Sequence, residues 1–286
     1  MSRRSMSIAA WLLFAAACGS SRTTAATQPG NPAAFDPKAS DAKAVEIADK
    51  VVAAVGGAAA WDKVKEIQWT TTVYDSGTPK AAYRHGWDRW NGRHFLETPS
   101  KGDGDTTQAM YELYTDTAAA MIVLGEGHKE RANGEQTKKI VANARQRFAW
   151  DVYPLFVAFK LKDPGVHLKF AEERRADGAT EADPMKYDVI KVTFDPGVGP
   201  TPGDAYYVIV DKQTSLIDQV EVVEAGKQDN QRMGYKWSDW VDVNGMKFSQ
   251  SRQNLGFPAE KITFTDIKTS ESWDEDLYVP PVREGE

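Results

Sequence analysis

Residues 201–223 read TPGDAYYVIVDKQTSLIDQVEVV. Two short runs rich in β-branched and aromatic residues, AYYVIVD (205–211) and SLIDQVEVVE (215–224), flank the Asp211–Thr214 turn. Such runs suit a pleated, half-buried surface, and a short polar break between them reverses the chain. The same grammar extends outward: YDVIKVTF (187–194) precedes this pair, and MGYKWSDWVDV (233–243), MKFSQSRQ (246–253) and KITFTDIKT (261–269) follow it. In the first half, IQWTTTV (67–73) alternates Ile67, Trp69, Thr71 and Val73 with polar residues, as a half-buried strand does. YRHGWDRW (83–90) and RHFLET (93–98) flank Asn91-Gly92, a strong hairpin signal, and AMYELYT (109–115) and AAMIVLG (119–125) form another pair. Asp242-Val243-Asn244-Gly245 marks one more turn. About eleven strands with short connections imply a large antiparallel sheet in meander order.

Helices interrupt the pattern twice. SDAKAVEIADKVVAAVGG (40–57) has Ser40 placed to cap, a stripe of Ala44, Ala48, Val51 and Val55, and a Gly56-Gly57 stop. A short helical turn is expected over Ala58–Lys65. From Glu135 to Lys162, residues Ile140, Ala144, Phe148, Val152, Leu155 and Phe159 recur at helical spacing, with Lys138, Lys139, Arg145 and Arg147 on the early polar face. Pro154 should kink this helix or start a second one, and Asp163-Pro164-Gly165 should end it. A helix this apolar needs a sheet to cover. One strongly curved sheet wrapped around it is an open half-barrel with a helical lid, an α+β fold.

The N-terminus sets the compartment. Arg3 and Arg4 precede the apolar run Ile8–Ala17 and then Cys18, the only cysteine of 286 residues. This is the layout of a secretory signal, and the apolar run is too short to span a membrane. AAAC also matches a lipoprotein acylation site, although Ala15 stands where leucine is usual. A plain secretory signal and a twin-arginine signal are the alternatives. Secreted domains use cysteines in pairs, so a lone cysteine favours lipid attachment at Cys18. Residues 1–17 are then signal peptide, 18–41 a lipidated, Ala/Ser/Thr/Pro/Gly-rich tether, and 42–286 one folded domain. Gly19, rather than aspartate, after the cysteine points to the outer membrane facing the periplasm. Loss of Arg3 and Arg4 moves the formal charge from −6 to −8, which excludes nucleic acid as a natural partner.

Three segments resemble the envelope lipoproteins of the LolA/LolB-like superfamily, in particular an uncharacterised bacterial branch. They are AVGGAAAWDKVKEIQWTTTVY (54–74), FAWDVYPLFVAFKLKDPGVHL (148–168) and TPGDAYYVIVDKQTSLIDQVEVV (201–223). The resemblance covers most of residues 42–270. It implies a half-barrel closed by helices around an apolar cavity, which in characterised relatives receives the acyl chains of lipoproteins.

Candidate cavity residues are Trp69, Trp87 and Trp237 on strand faces and Phe148, Tyr153 and Phe156 on the central helix. The same side chains could simply fill the core between sheet and helix. Histidines 85, 94, 128 and 167 lack metal-ligand spacing and read as surface or rim residues, with His85 and His94 on adjacent strands. No Gly-x-Ser-x-Gly elbow occurs, no acid pair stands out, and WDEDL (273–277) reads as a charged exit segment. No metal, cofactor or catalysis is expected. The reading is a non-enzymatic, lipid-anchored envelope protein that binds a lipid or other hydrophobic ligand. A scaffold with a filled core is the alternative, and a hydrolase with a hidden site the third.

Overall fold

The computed structural model describes residues 34–99, 105–113, 115–124, 127–199 and 201–279, without the side chains of Tyr153 and Pro154. The signal segment, Cys18 and the tether to residue 33 lie outside the described residues. Helix α1 (Ala42–Ala54) and short α2 (Ala58–Lys63) lead into strands β1 (Glu66–Asp75), β2 (Thr78–Asp88), β3 (Arg93–Pro99), β4 (Thr106–Glu112), β5 (Ala118–Val123) and β6 (Lys129–Arg131). Helix α3 (Gly134–Lys160) follows. Then come β7 (Val166–Arg174), β8 (Tyr187–Phe194), β9 (Ala205–Asp211), β10 (Ile217–Val223), β11 (Met233–Val243), β12 (Met246–Asn254) and β13 (Glu260–Ser270).

All thirteen strands form one antiparallel sheet in the order β6-β5-β4-β3-β2-β1-β13-β12-β11-β10-β9-β8-β7. Two meanders therefore join where β1 pairs with β13, and the edges are β6 and β7. Helix α3 connects those two edges in sequence. It touches β4, β5 and β12, which lie on opposite sides of the β1–β13 junction, so the sheet curves around it. The open half-barrel and helical lid expected from the periodicity are present, with thirteen strands instead of about eleven. The two extra strands are the edges. Lys129–Arg131 is three exposed charged residues and shows no apolar pattern. Val166–Arg174 does alternate, but it follows directly on the helix stop.

Both edges are protected against further pairing. The first is short and charged. On β7, the Ser40 hydroxyl accepts from the Leu168 N–H (2.9 Å) and the Asp41 carboxylate from the Phe170 N–H (3.0 Å), while the Asp41 N–H donates to the Leu168 carbonyl (2.9 Å). Ser40 thus serves the strand edge rather than capping α1, whose N-cap is Asp41 without a side-chain cap bond. Phe35 packs on the core and a 3-10 turn forms at Pro37–Ala39, so fixed structure extends into residues that the tether reading assigned to a linker.

Helix α3 starts at a capping box: Asn133 accepts from the Gln136 N–H (3.0 Å) and Gln136 accepts from the Asn133 N–H (2.9 Å). The helix runs through Pro154 as one element instead of dividing there. Its first half is amphipathic, with Val141 and Ala144 packed on Leu96, Ala109 and Tyr111. Its second half is mostly apolar, with Asp151 and Lys160 as its charged residues. Val152, Leu155, Phe156, Val157, Ala158 and Phe159 are all buried between the sheet and α1–α2, where Trp61 stacks on Phe159 at 4.6 Å. The terminal segment is not a charged exit. Leu277 and Tyr278 are buried against Phe95, Met110 and Met121 on the outer face, and Arg93 pairs with Glu275 at 2.5 Å.

The Gly56-Gly57 stop uses its two glycines differently. Gly56 (φ +117°) lies so close to the β11–β12 turn that a Cβ would stand 2.6 Å from the Gly245 carbonyl oxygen. Gly57 (φ +87°) faces open space. With ψ 157°, Gly57 lies in the positive-φ extended region essentially reserved for glycine, so Gly57→Ala should cost only backbone strain, about 2 kcal/mol. Gly56→Ala adds an overpacking term of about 2 kcal/mol to its own backbone strain. Urea denaturation of the two variants checks this, and equal losses would contradict the close docking of α1 on that turn.

Candidate functional site

The concave face of β1–β5 presents two cross-strand rows. Strand register aligns Ile67 with Trp87, Trp87 with His94, His94 with Tyr111, and Tyr111 with Ala118. The adjacent row aligns Trp69, His85, Leu96, Ala109 and Ala120. Side chains two residues apart on a strand share a face, so both rows point at α3.

Four of the six predicted cavity residues meet here. Phe156 stands edge-on to Trp69 at 5.2 Å and lies 5.7 Å from Trp87, and Phe148 stands edge-on to Trp87 at 5.5 Å. Phe248 of β12 completes the group 6.2 Å from Phe156. Trp69, Trp87 and Phe156 are buried and Phe148 half-buried. Trp237 is buried elsewhere, under the Arg252 guanidinium, which lies 3.2 Å from its ring centroid. The side chain of Tyr153 lies outside the described residues. Two surface clefts of about 630 and 580 Å³ lie elsewhere, the first lined by Gln219, Glu221, Arg232 and Leu255 and the second by Asp177, Met185 and Lys212 among others, and neither by any of these six residues.

A polar chain runs through this apolar face. Arg147 donates to both carboxylate oxygens of Asp151 (2.6 and 2.5 Å). Asp151 also lies 2.9 Å from His85 Nε2, and His85 Nδ1 lies 3.2 Å from His94 Nε2. Asp151, His85 and His94 are all buried. This corrects the expectation that the two histidines are surface or rim residues: their strand positions alternate onto the concave face. His128 is exposed and His167 pairs with Asp195 near the surface.

The network assigns the protons. Hydrogen bonds from His85 and the charge of Arg147 hold the Asp151 carboxyl below its ordinary range despite burial, so it is an anion that only accepts. His85 must then donate from Nε2 and accept at Nδ1, and His94 must donate from Nε2. The chain ends on the lone pair of His94 Nδ1. Burial lowers the pKa of His85, and burial with repulsion from His85 and Arg145 lowers that of His94 well below the ordinary value. Trp69 stacks on His85 at 4.3 Å and 5°, and its indole N–H donates to the Thr71 hydroxyl (3.1 Å). No serine or threonine hydroxyl is hydrogen-bonded to His94 among the described residues, nor is any group of three or more His, Cys, Asp or Glu arranged there to hold a metal ion.

Arg147, Asp151, His85 and His94 escaped sequence reasoning as a set. Asp151 carried a local signal, an acid one turn after Arg147 on the buried stripe of the helix. His85 and His94 carried only a strand alternation that their polarity masked.

No protein-family model matches the chain, and no curated protein matches it. Solved structures do. It is similar to a DUF1329 family protein from Desulfovibrio piger, with 10% identity over 82% of this chain and 97% of that one and a TM-score of 0.45. A domain assigned to outer membrane lipoprotein sorting from Vibrio parahaemolyticus shares 11% identity over 82% and 96% of the two chains, TM-score 0.44. A LolA superfamily protein from Nitrosomonas europaea shares 10% identity over 83% and 97%, TM-score 0.44. Among the described residues, no helix is long and apolar enough to cross a membrane.

The buried histidines predict how stability responds to acid. The unfolded chain protonates its histidines near pH 6.5, whereas folding holds His85 and His94 neutral. Each therefore costs stability as pH falls below 6.5, at about 1.4 kcal/mol per pH unit. Asp151 works in the same direction at lower pH, since its contribution is lost as pH falls through its depressed folded value. The urea midpoint should drop between pH 7.5 and 5.5, and His94→Gln should drop less steeply than the wild type. Parallel pH profiles for the two proteins would sink the assignment.

Proposed function

We propose that this protein is a non-enzymatic envelope lipoprotein that binds a lipid or another hydrophobic ligand between α3 and the concave sheet, in lipid or lipoprotein trafficking. One observation carries the reading: a wide concave face of aromatic and aliphatic side chains is covered by α3, which joins the two sheet edges, with α1 packed on β7 and β8. The residues that would enclose the ligand are Trp69, Trp87, Phe148 and Phe156, with Tyr153 from the same helix and Trp237 further round the barrel. The amphipathic first half of α3 is the part that would lift. Pro154 has no N–H to donate to the Trp150 carbonyl, which places a weak link between the two halves. An acyl chain gains about 0.8 kcal/mol per buried methylene, so a dozen methylenes would offset roughly 10 kcal/mol of lost lid packing. Acylation of Cys18 would hold the domain at the outer membrane facing the periplasm, and no cofactor is required.

Burial of Trp69 and Phe156 favours a second reading, in which the core is filled for good and the protein is an interaction scaffold. Native mass spectrometry separates the two. Protein extracted from membranes in mild detergent should carry lipid masses that exchange with added lipid, and a consistently bare spectrum would leave the scaffold. The anchor is tested apart from the ligand. Cys18→Ser should stop incorporation of labelled fatty acid and release the protein from the membrane fraction, while retention with unchanged processing would refute lipid attachment.

A further inference from the structure

Three buried side-chain polar atoms with no hydrogen-bond partner among the described residues share one cross-strand row. They are Trp87 Nε1 on β2, His94 Nδ1 on β3 and the Tyr111 hydroxyl on β4. Trp87 is opposite His94, and His94 is opposite Tyr111. Opposed residues of an antiparallel pair have Cβ atoms about 5 Å apart, so the three groups span neighbouring strands on one face. Their rings confirm the placement. Phe148 of α3 lies 4.4 Å from His94 and 5.5 Å from Trp87, and the His94 and Tyr111 rings lie 5.2 Å apart.

An unsatisfied buried polar group costs about 1–3 kcal/mol, and native interiors hold few of them. Three in register form an ordered set. The indole N–H is a donor. His94 Nδ1 is an acceptor because the chain from Asp151 through His85 fixes its proton on Nε2. The phenol both donates and accepts. Burial raises the Tyr111 pKa, which keeps it a neutral phenol. The nearby cations are already engaged: Arg147 with Asp151, and Arg145 with the carbonyls of Leu113, Glu112 and Thr115. Arg145 keeps its charge, since carbonyls do not neutralise it, but an ionised carboxylate only accepts and has no proton to give His94 Nδ1, and desolvation opposes its burial here.

We propose that Trp87, His94 and Tyr111 form a recognition strip for the head of a neutral amphiphile that carries a hydroxyl beside an ester carbonyl, such as a monoacylglycerol. The carbonyl accepts from the indole N–H. The hydroxyl donates to His94 Nδ1 and accepts from the Tyr111 phenol. The chain lies on Trp69, Phe156 and Phe248. This deepens the reading of the half-barrel as a hydrophobic-ligand protein and rests on it.

The test compares three probes of one chain length on the full-length protein: monopalmitoylglycerol, methyl palmitate and palmitate. Monopalmitoylglycerol should bind at least tenfold more tightly than the other two. Tyr111→Phe should lower its affinity about fivefold, the equivalent of one hydrogen bond, and lower that of methyl palmitate, which has no hydroxyl, by less than about twofold. The same substitution should raise the melting temperature of the ligand-free protein, because it removes an unsatisfied buried hydroxyl. Trp87→Phe gives a second check, weakening both ester probes by a larger factor than palmitate, which loses only apolar contact. Equal binding of all three probes, or a lowered melting temperature for Tyr111→Phe, overturns the strip while leaving hydrophobic binding intact. If none of the three binds, the ligand-binding reading itself falls.

Discussion

A sheet of thirteen antiparallel strands that does not close must cover its concave face with something other than itself. That requirement governs the rest of the molecule. The chain meets it by placing α3 between the two meanders, so that the segment linking the edge strands also crosses the open face. From Val152 to Phe159 the described side chains of the helix are all carbon and all buried, against the sheet and against α1 and α2. The first half is covered only on one side and stays amphipathic. The two halves of one helix therefore differ in how firmly they are held.

The same geometry makes the buried charge informative. Asp151 sits on the covered side of α3, where an unpaired carboxylate would be untenable. Arg147 neutralises it from one turn away, which leaves His85 free to be neutral and to orient His94. The interaction ties the helix to β2 and β3 through hydrogen bonds whose directions are all determined by one anion. Apolar packing sets how much of the helix is buried, and the Asp151 chain sets where it sits along the strands. Arg252 is a fully buried arginine in the same half-barrel, stacked on Trp237 and donating to Ser249 and the Ser251 carbonyl. It shows that this interior admits polar groups where aromatic faces and carbonyls receive them.

Much of the architecture was legible because strands and turns are encoded locally. Asn244-Gly245 forms the tight turn its residues imply, both with positive φ. Asp88 explains the Asn91-Gly92 loop: its carboxylate accepts from the N–H groups of Trp90 and Asn91 and from Arg93, closing a bend of four residues. Edge strands were harder to read because an edge is defined by what lies beside it. Lys129–Arg131 becomes a strand only by pairing with β5. The C-terminal Trp273–Leu277 segment reads as solvated because its acids dominate, yet Trp273 donates to Asp88 and Leu277 fills the space beside Gly86.

By itself the sequence determined the alternation of strands, the meander order, the apolar helix and the presence of a lone cysteine ahead of the domain. Each follows from residues near one another in the chain, where period, turn chemistry and composition act directly. Only the tertiary structure decided which strands are edges, that His85 and His94 face inward, and that Asp151 lies within reach of them. Those facts depend on β-register and on the position of a helix separated from its partners by more than fifty residues. A one-residue slip in register would turn both histidines outward, away from Asp151. The candidate site is therefore a product of pairing, and the fold a product of pattern.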